Sequence, residues 1–322
     1  MTIRWTLIAS LAFSAFVASA QAQSYPTQPI KLVVPFPAGG GVDLVARIIA
    51  PALSDQLGQP VIVENRGGAG GALGAVAVAQ SPADGYTLLI GANSTHGTNP
   101  SIQSKPTYDP VKDFAPVVLI STSPFFLLTP PSLPVDSAEG LVALAKRDPG
   151  KLNFGSYGIG SINHLTGELF NSMAGIRANH VPYRGSAPAL TDLIAGRIDF
   201  VFDGVSTLGY VKSGSLRALA TAGAKRAANL PERPTIAETA VPGFDVSLWF
   251  GVFAPAGTPT PVVELLNTKA NAALTNPSVR EGIEKIGMEI AGGNAAVLAN
   301  QVSNELRKWR DLAREKNIRV DQ

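Results

Sequence analysis

A run of three glycines, Gly39–Gly41, stands between a short apolar run and a segment with helical periodicity. Lys31–Val34 has the composition of a strand, Pro35 and Pro37 stiffen the approach, and a helical pattern starts at Val42. The first N–H groups of a helix have no partner within the helix, and the helix dipole adds positive potential there. Glycine lets a ligand oxygen reach the backbone. The pattern therefore predicts an anion-binding loop, and the alternative is a tight turn that binds nothing.

The residues after the glycines indicate which anion fits. A loop that binds nucleotide phosphates ends in Gly-Lys-Ser or Gly-Lys-Thr, whereas Val42-Asp43 follow here. We expect Asp43, in the first helical turn, to repel a multiply charged phosphate. A carboxylate is flat and carries a single charge, so the sequence predicts a carboxylate ligand.

A second loop repeats this arrangement. Leu152–Phe154 reads as a strand, Gly155–His164 is rich in glycine and serine, and a helix follows. Ser156 and Ser161 add hydroxyl donors, and Ser161 can also act as a helix N-cap, a role compatible with ligand contact. If the two helix N-termini face one cleft, four or five charge-assisted hydrogen bonds of about 1.5–3 kcal/mol each can hold a dicarboxylate without any arginine.

Two further polar positions lie where strands end. Asn93–Pro100 is a polar loop that contains His96 and follows a strand, at the edge where a parallel sheet presents its ligand site. Asp203 ends another strand-like run. Its carboxylate either receives an amino or hydroxyl group of the ligand or caps the helix that begins at Val205.

Catalytic, metal and cofactor sites are not predicted. The chain has three histidines, His96, His164 and His180. Ser161 and His164 lie on one helix face with parallel side chains, and no G-x-S-x-G elbow occurs. No histidine is paired with another metal ligand at a suitable spacing. Gly67–Gly74 imitates a dinucleotide fingerprint, but Leu73 stands where the third glycine is required, so this loop is structural or a rim of the cleft.

Strand-like and helical patterns alternate along the chain. Ile30–Val34 and Thr87–Ala92 read as strands of a first set, and Phe200–Asp203 as a strand of a second, in the βαβ rhythm of a mainly parallel sheet flanked by helices. Two extended, Pro-terminated apolar stretches, Ser123–Pro131 and Val246–Pro255, are predicted to be strands that cross between two lobes. The predicted limits are residues 23–123 plus 249–322 for lobe 1 and residues 124–248 for lobe 2.

The helices carry their own signals. Asp136 is predicted to cap a helix that runs to Arg147. In the last helix, Ala295–Lys316, apolar residues fall on one face and charged residues on the other.

The N-terminal segment, residues 1–22, reads as an export signal. Arg4 precedes an apolar run and small residues, with cleavage expected after Ala22 or Ala20. Its removal leaves 25 Lys and Arg, since one of the 26 is Arg4, against 24 Asp and Glu, so no nucleic-acid surface is indicated. With 0 cysteines, disulfides are excluded and burial alone must hold the chain together.

Five ordered motifs together resemble the Bug-type periplasmic solute receptors of tripartite tricarboxylate transporters. They are Pro35–Arg47, Val63–Gly71, Asp84–Leu89, Val181–Leu190 and Trp249–Pro259. The resemblance covers nearly the whole chain after the export signal. It implies an α/β, two-lobed type II periplasmic-binding-protein fold that closes on a carboxylate.

The resemblance also implies a ligand site. In the family the first-lobe loop and the second-lobe loop grip the acid, and ordered waters link it to the edge that here carries Asn93 and Ser94. Arg184 begins a further helix at the cleft and faces either ligand or the domain surface. Tyr157 and Ile159 are larger than the residues often found there, so they narrow the pocket or stack on a ring. The predicted ligand-binding residues are Ala38, Gly39, Gly40, Gly41, Asn93, Ser94, Ser156, Tyr157, Gly158, Gly160, Ser161, Arg184 and Asp203.

Together these patterns predict a periplasmic receptor, not an enzyme, that presents an organic carboxylate to the permease subunits of a tripartite transporter. We expect it to be a monomer with no cofactor, no metal and no nucleic-acid partner. Two alternatives remain: an exported sensing subunit of a signalling system, and an exported hydrolase.

Overall fold

The computed structural model describes residues 25–319, so the predicted export signal lies outside the described residues. Two β-sheets, one of six strands and one of five, organise this part of the chain. In spatial order the six-stranded sheet contains β11 (Glu289–Ile290), β4 (Phe114–Ser123), β10 (Leu248–Pro255), β3 (Thr87–Ala92), β1 (Ile30–Val34) and β2 (Val61–Asn65). The five-stranded sheet contains β7 (Asn179–Pro182), β6 (Asn153–Ser156), β8 (Phe200–Asp203), β5 (Phe126–Thr129) and β9 (Arg217–Thr221).

Both sheets are mixed, whereas the sequence predicted mainly parallel sheets. The parallel pairs are those of the βαβ rhythm: β1 with β2 and β3, and β6 with β7 and β8. The crossing strands pair antiparallel, β10 with β3 and β4, and β5 with β8 and β9. A strand that enters from the other sheet is not preceded by a crossover helix, the connection that makes neighbouring strands parallel.

Helices cover both faces of each sheet. They are α1 (Gly41–Leu57), α2 (Ala72–Ala79), α3 (Asn99–Ile102), α4 (Ala138–Arg147), α5 (Ile162–Ala174), α6 (Ser186–Ile194), α7 (Leu208–Lys212), α8 (Ile236–Thr239), α9 (Thr260–Leu274), α10 (Pro277–Lys285) and α11 (Ala295–Glu315). Within residues 25–319, none of these helices combines the length and apolar composition needed to cross a bilayer.

Two local predictions were wrong, and one long strand was missed. Ser137, not Asp136, caps α4, because the Ser137 hydroxyl accepts a hydrogen bond from the Gly140 N–H at 3.1 Å. The predicted polar loop Asn93–Pro100 contains a π-helical turn, Ser94–Thr98, that continues into α3. Of β4, only the last residue fell within a predicted strand.

Successive side chains of β1 point to opposite faces of the six-stranded sheet and contribute to two different apolar clusters. Leu32 and Val34 belong to the apolar cluster that contains the buried face of α1, including Val45 and Ile49. Val33 belongs to the cluster on the opposite face, with residues of α2 and α11. Each such side chain contributes about 1.5–3 kcal/mol of hydrophobic free energy when buried. Burial on both faces fixes β1, and with it the position at which α1 begins.

The core beside the five-stranded sheet is aromatic. The Phe170 ring lies 6.1 Å from Phe200, 5.6 Å from Phe202 and 5.9 Å from Phe244, centroid to centroid, in edge-to-face arrangements. All four rings are fully buried. Edge-to-face contacts of this kind add about 0.5–1.5 kcal/mol beyond area burial. They hold α5 against β8, and so position the loop that precedes α5.

The chain passes between the sheets twice, after Ser123 and before Leu248, and these two residues pair with each other. The last helix, α11, bridges the two cores. Its first half packs on the six-stranded sheet through Leu298, Val302 and Leu306, and its second half packs on the aromatic core through Trp309, Leu312 and Ala313. If one sheet rotates relative to the other, α11 must therefore either bend or slide against one of the two cores.

We predict that Gly251→Ala, in the crossing strand β10, lowers the free energy of unfolding by about 1–3 kcal/mol, because an added Cβ would lie 2.5 Å from Leu298 Cδ1 of α11. Chemical denaturation measures the change. The same substitution in a Leu298→Ala background, which lacks the clashing atoms, should cause a smaller loss. Equal losses in both backgrounds would contradict this account of the packing.

Candidate functional site

The start of α1 presents backbone donors without partners. Gly40 is the N-cap residue, with φ −77° and ψ 166°, and no side chain caps the helix. The first intrahelical bond runs from the Leu44 N–H to the Gly40 carbonyl. Among residues 25–319, no hydrogen-bond acceptor meets the N–H groups of Gly40, Gly41, Val42 or Asp43. Free donors of this kind, together with the helix dipole, are the arrangement that favours anions at helix starts.

Asp43 holds this loop in place. Its buried carboxylate accepts hydrogen bonds from the Gly39 N–H at 2.8 Å, from Asn65 Nδ2 at 2.8 Å and from Arg47 Nε at 3.0 Å. Arg47 is the main reason that the pKa of Asp43 falls to about 2. The expectation that Asp43 repels phosphate is therefore weakened, because Arg47 compensates its charge.

The second loop uses its own hydroxyl groups. Ser156 Oγ lies 2.6 Å from His180 Nε2 and donates to the Gly158 carbonyl at 3.1 Å. Ser161 Oγ donates to the same carbonyl at 2.7 Å and accepts from the His164 N–H at 3.3 Å, which makes Ser161 the N-cap of α5. Both hydroxyls that the sequence assigned to a ligand are thus satisfied within the loop.

Two stacked histidines lie beneath this loop. The His164 and His180 rings stack with centroids 3.8 Å apart, and the Gly160 N–H donates to His164 Nδ1 at 3.1 Å. Burial lowers the pKa of each histidine to about 4, and for His164 the charge of His180 adds to the effect. A neutral His164 keeps the lone pair that holds Gly160.

Backbone donors remain free in the second loop as well. Within the described part of the chain, the N–H groups of Ile159, Ile162 and Asn163 meet no hydrogen-bond acceptor. A second helix start therefore offers amide donors, and the structure supplies two loops of the kind that the sequence predicted.

Asp203, the last residue of β8, contacts the second loop. Its carboxylate accepts a hydrogen bond from the Tyr157 hydroxyl and another from the Gly204 N–H at 2.7 Å. Burial raises the pKa of Asp203 to about 6. Burial and the neighbouring carboxylate also raise the pKa of Tyr157 far above its ordinary value. The helical turn that starts at Val205 has no side-chain cap, so the predicted capping role of Asp203 was wrong.

A cavity of about 590 Å³ lies between the two sheets, against the crossing strands. Three of the predicted site residues line it: Gly39 and Gly41 at the start of α1, and Asp203. Tyr157 reaches this wall through its hydrogen bond to Asp203. The open end of α1 therefore faces a space large enough for a small organic molecule.

Other predicted residues lie elsewhere. The Asn93 side chain is fully used: Nδ2 donates to the Ser247 carbonyl and to Glu305 Oε2, both at 3.0 Å, and Oδ1 accepts from the Trp249 N–H at 2.9 Å. Asn93 thus anchors the crossing strand β10 to α11. Ser94 is half-buried where the π-helical turn begins.

Two further predicted residues are exposed. Ala38 lies in the first loop, ahead of the uncapped start of α1. Arg184 lies between β7 and α6, and within the described residues it forms neither an ion pair nor a side-chain hydrogen bond.

The sequence reasoning missed most of the cavity wall. Leu248 and Phe250 line the cavity, whereas Trp249 between them packs against α11. Alternation along the crossing strand would have placed them on one face. Met288 and Val205 also line the cavity, but no sequence signal joins these distant positions.

Comparison with known proteins defines the class. The profile of the tripartite tricarboxylate transporter family receptor matches residues 45–318. The chain belongs to this family of periplasmic solute receptors.

Individual relatives agree along almost their whole length. The chain is 37% identical to protein BugT of Bordetella pertussis, over 96% of both chains. A structure of an R. palustris protein with adipate is 40% identical, with a TM-score of 0.79, and the match covers 92% of this chain and 100% of that one. MatC from Rhodopseudomonas palustris with bound malate is 34% identical, with a TM-score of 0.75, over 89% of this chain and 99% of that one. The predicted Bug-type membership and the two-lobed fold are confirmed.

The lowered pKa of Asp43 predicts how stability depends on pH. A carboxylate with a folded pKa of about 2, against about 3.9 when unfolded, adds stability that is complete above pH 4 and is lost as pH falls through 2. We expect Asp43→Asn to destabilise the protein by about 1–3 kcal/mol at pH 7. The difference from the native protein should shrink between pH 4 and pH 2.

Denaturant unfolding at several pH values tests this. Asp55→Asn serves as a control, because Asp55 is exposed and lies on the same helix without an ion pair among the described residues. A difference between the native protein and Asp43→Asn that stays constant down to pH 2 would refute the proposed ion-pair contribution.

Proposed function

We propose that this chain is a periplasmic receptor that binds a small organic carboxylate between its two lobes and delivers it to the membrane permease of a tripartite transporter. No bond is made or broken. The observation that carries the proposal is the uncapped start of α1, where four amides lack acceptors and two of the four residues, Gly41 and Val42, line the inter-sheet cavity. Relatives with bound adipate and malate support a carboxylate ligand.

The proposed contacts come from both lobes. In the first lobe the loop Ala38–Gly41 binds a carboxylate through the free amides of Gly40 and Gly41, and in the second lobe the loop Ser156–Ser161 binds it through the free amide of Ile159. Asn93 and Ser94 act through water, because the Asn93 amide already holds the crossing strand. Asp203 and Tyr157 form a hydrogen-bonded wall of the pocket. Arg184 is proposed as an exposed charge at the cleft entrance.

The proposed lobes are residues 23–123 with 249–322, and residues 124–248. They rotate about the two crossings near Ser123 and Leu248, and ligand contacts made in both lobes stabilise the closed form. Because α11 packs on both cores, the rotation is proposed to be small and to shear along this helix.

Gly40→Val should reduce carboxylate affinity at least a hundredfold without unfolding the protein. The φ of Gly40 is ordinary at −77°, and the nearest atom to an added Cβ, the Pro37 carbonyl oxygen, is 3.7 Å away, so the fold tolerates the side chain. The branched side chain would cover the amides that an oxygen must approach. Titration calorimetry with adipate measures the loss.

Gly209→Val is the matched control, because a Cβ at Gly209 meets nothing within 4 Å and this glycine is not part of the proposed site. Its affinity should equal that of the native protein. Normal binding by a folded Gly40→Val protein would remove the start of α1 from the site, and with it the argument for this function.

Saturating ligand should make the protein more compact, because closure brings the two lobes together around the crossing strands. Small-angle X-ray scattering with and without adipate measures the radius of gyration. A radius that stays the same at saturation, with binding shown by calorimetry, would argue against hinge closure while leaving carboxylate binding intact.

A further inference from the structure

The wall of the inter-sheet cavity is mostly apolar. Both lobes and the crossing strand contribute to this surface, which begins next to the uncapped amides of α1. The apolar lining residues are Val42, Leu44, Val205, Leu208, Leu248, Phe250, Ile286 and Met288. The polar side chains of the same wall are Ser123, Asp203, Ser206, Lys212 and Lys285.

Two apolar side chains beside the binding loops are exposed to water. Leu44, in the first turn of α1, is 41% exposed, and Ile159, in the second loop, is 63% exposed. Leu44 follows Asp43, whose N–H lacks an acceptor, and the N–H of Ile159 itself lacks one. When an apolar part of a ligand covers such a side chain, the buried apolar surface makes binding more favourable.

Several polar side chains near the cavity are already engaged within the protein. Ser156 and Ser161 bond within their own loop, and Asn93 holds the crossing strand. Asp203 accepts from Tyr157 and Gly204. On the cavity wall, Ser123 Oγ is buried without a partner, and among the described residues the side chains of Ser206, Lys212 and Lys285 form no hydrogen bond or ion pair.

The free groups around the cavity are therefore the amides and the ammonium groups of Lys212 and Lys285, which recognise a carboxylate, and apolar side chains, which recognise hydrocarbon. Among the lining residues only Ser123 and Ser206 offer a free hydroxyl. We infer that the ligands of this receptor are carboxylic acids with an unsubstituted hydrocarbon body, aliphatic or aromatic, and not hydroxy acids. The hydroxyl groups of a hydroxylated body would lose their hydrogen bonds to water on contact with Leu, Phe and Met side chains. Each hydroxyl left without a new partner would weaken binding. The inference rests on the proposed function and narrows its ligand class.

Matched acids test the inference directly. Adipate and galactarate have the same six-carbon dicarboxylate chain and the same charge, and they differ only in four hydroxyl groups. Succinate and tartrate form a shorter pair of the same kind. We expect calorimetry on the full mature protein to give at least tenfold tighter binding of the hydrocarbon acid in whichever pair binds.

The possible results separate the two proposals. Galactarate or tartrate binding as tightly as its hydrocarbon partner would overturn the inference and leave the carboxylate receptor intact. If no mono-, di-, tri- or aromatic carboxylate shifts the melting temperature or binds in calorimetry, the proposed function falls, and the inference falls with it.

Variants locate the hydrocarbon contact. Leu44→Ser in α1 and Leu208→Ser in α7 each place a hydroxyl on the apolar wall, one from each lobe. We expect each variant to weaken adipate binding about three- to tenfold and to leave galactarate binding unchanged. Ile62→Ser is the control, because Ile62 is 55% exposed in β2 and does not line the cavity.

Equal losses for both acids in Leu44→Ser and Leu208→Ser would show that these side chains support the fold or its closure and not the hydrocarbon body. That result would overturn the inference even if adipate binds more tightly than galactarate. Melting temperatures of all three variants without ligand establish that each protein is folded.

Discussion

Backbone amides left without acceptors at the start of α1 are the constraint on which this molecule depends. Such groups are unfavourable when buried without a partner, and they are tolerated here because they open into a cavity. Their geometry is fixed by a helix of 17 residues whose apolar face is packed against β1. An anion that binds them meets donors that need no rearrangement, and this preorganisation reduces the entropy lost on binding.

Charged and aromatic side chains around the two loops serve to hold backbone in place. Asp43 is a buried carboxylate beside the uncapped start of α1, and Arg47, Asn65 and the Gly39 amide stabilise its negative charge by hydrogen bonds. In the second loop a neutral His164 has the same role, accepting from Gly160. Its low pKa, caused by burial, keeps it neutral at pH 7, so the loop does not depend on titration near neutrality.

A side-chain network joins the end of β3 to the crossing strand and to α11. Asn93 connects the end of β3 to the crossing strand and to Glu305 of α11, and Glu305 also accepts from the Trp309 indole N–H at 2.7 Å and pairs with Lys308 at 2.8 Å. Since α11 packs on both cores, relative motion of the lobes is resisted on one side of the crossing strands. The proposed closure then needs ligand contacts in both lobes to stabilise it, which is the thermodynamic requirement for ligand-driven closure.

The sequence by itself determined most of the strands and helices and the glycine-rich start of α1. Alternating strands and helices, the glycines before α1 and the five motifs identified the family and the two-lobed architecture, because these signals are local or depend on order along the chain. The sequence did not determine the direction of the crossing strands, the partner of Asp203 or the partners of Asn93, since those contacts join residues 46 to 212 positions apart. Tertiary structure also decided that Leu44, Val205, Phe250 and Met288 share one wall. Apolar residues are abundant everywhere in the chain, and only packing separates those that fill a core from those that line the cavity.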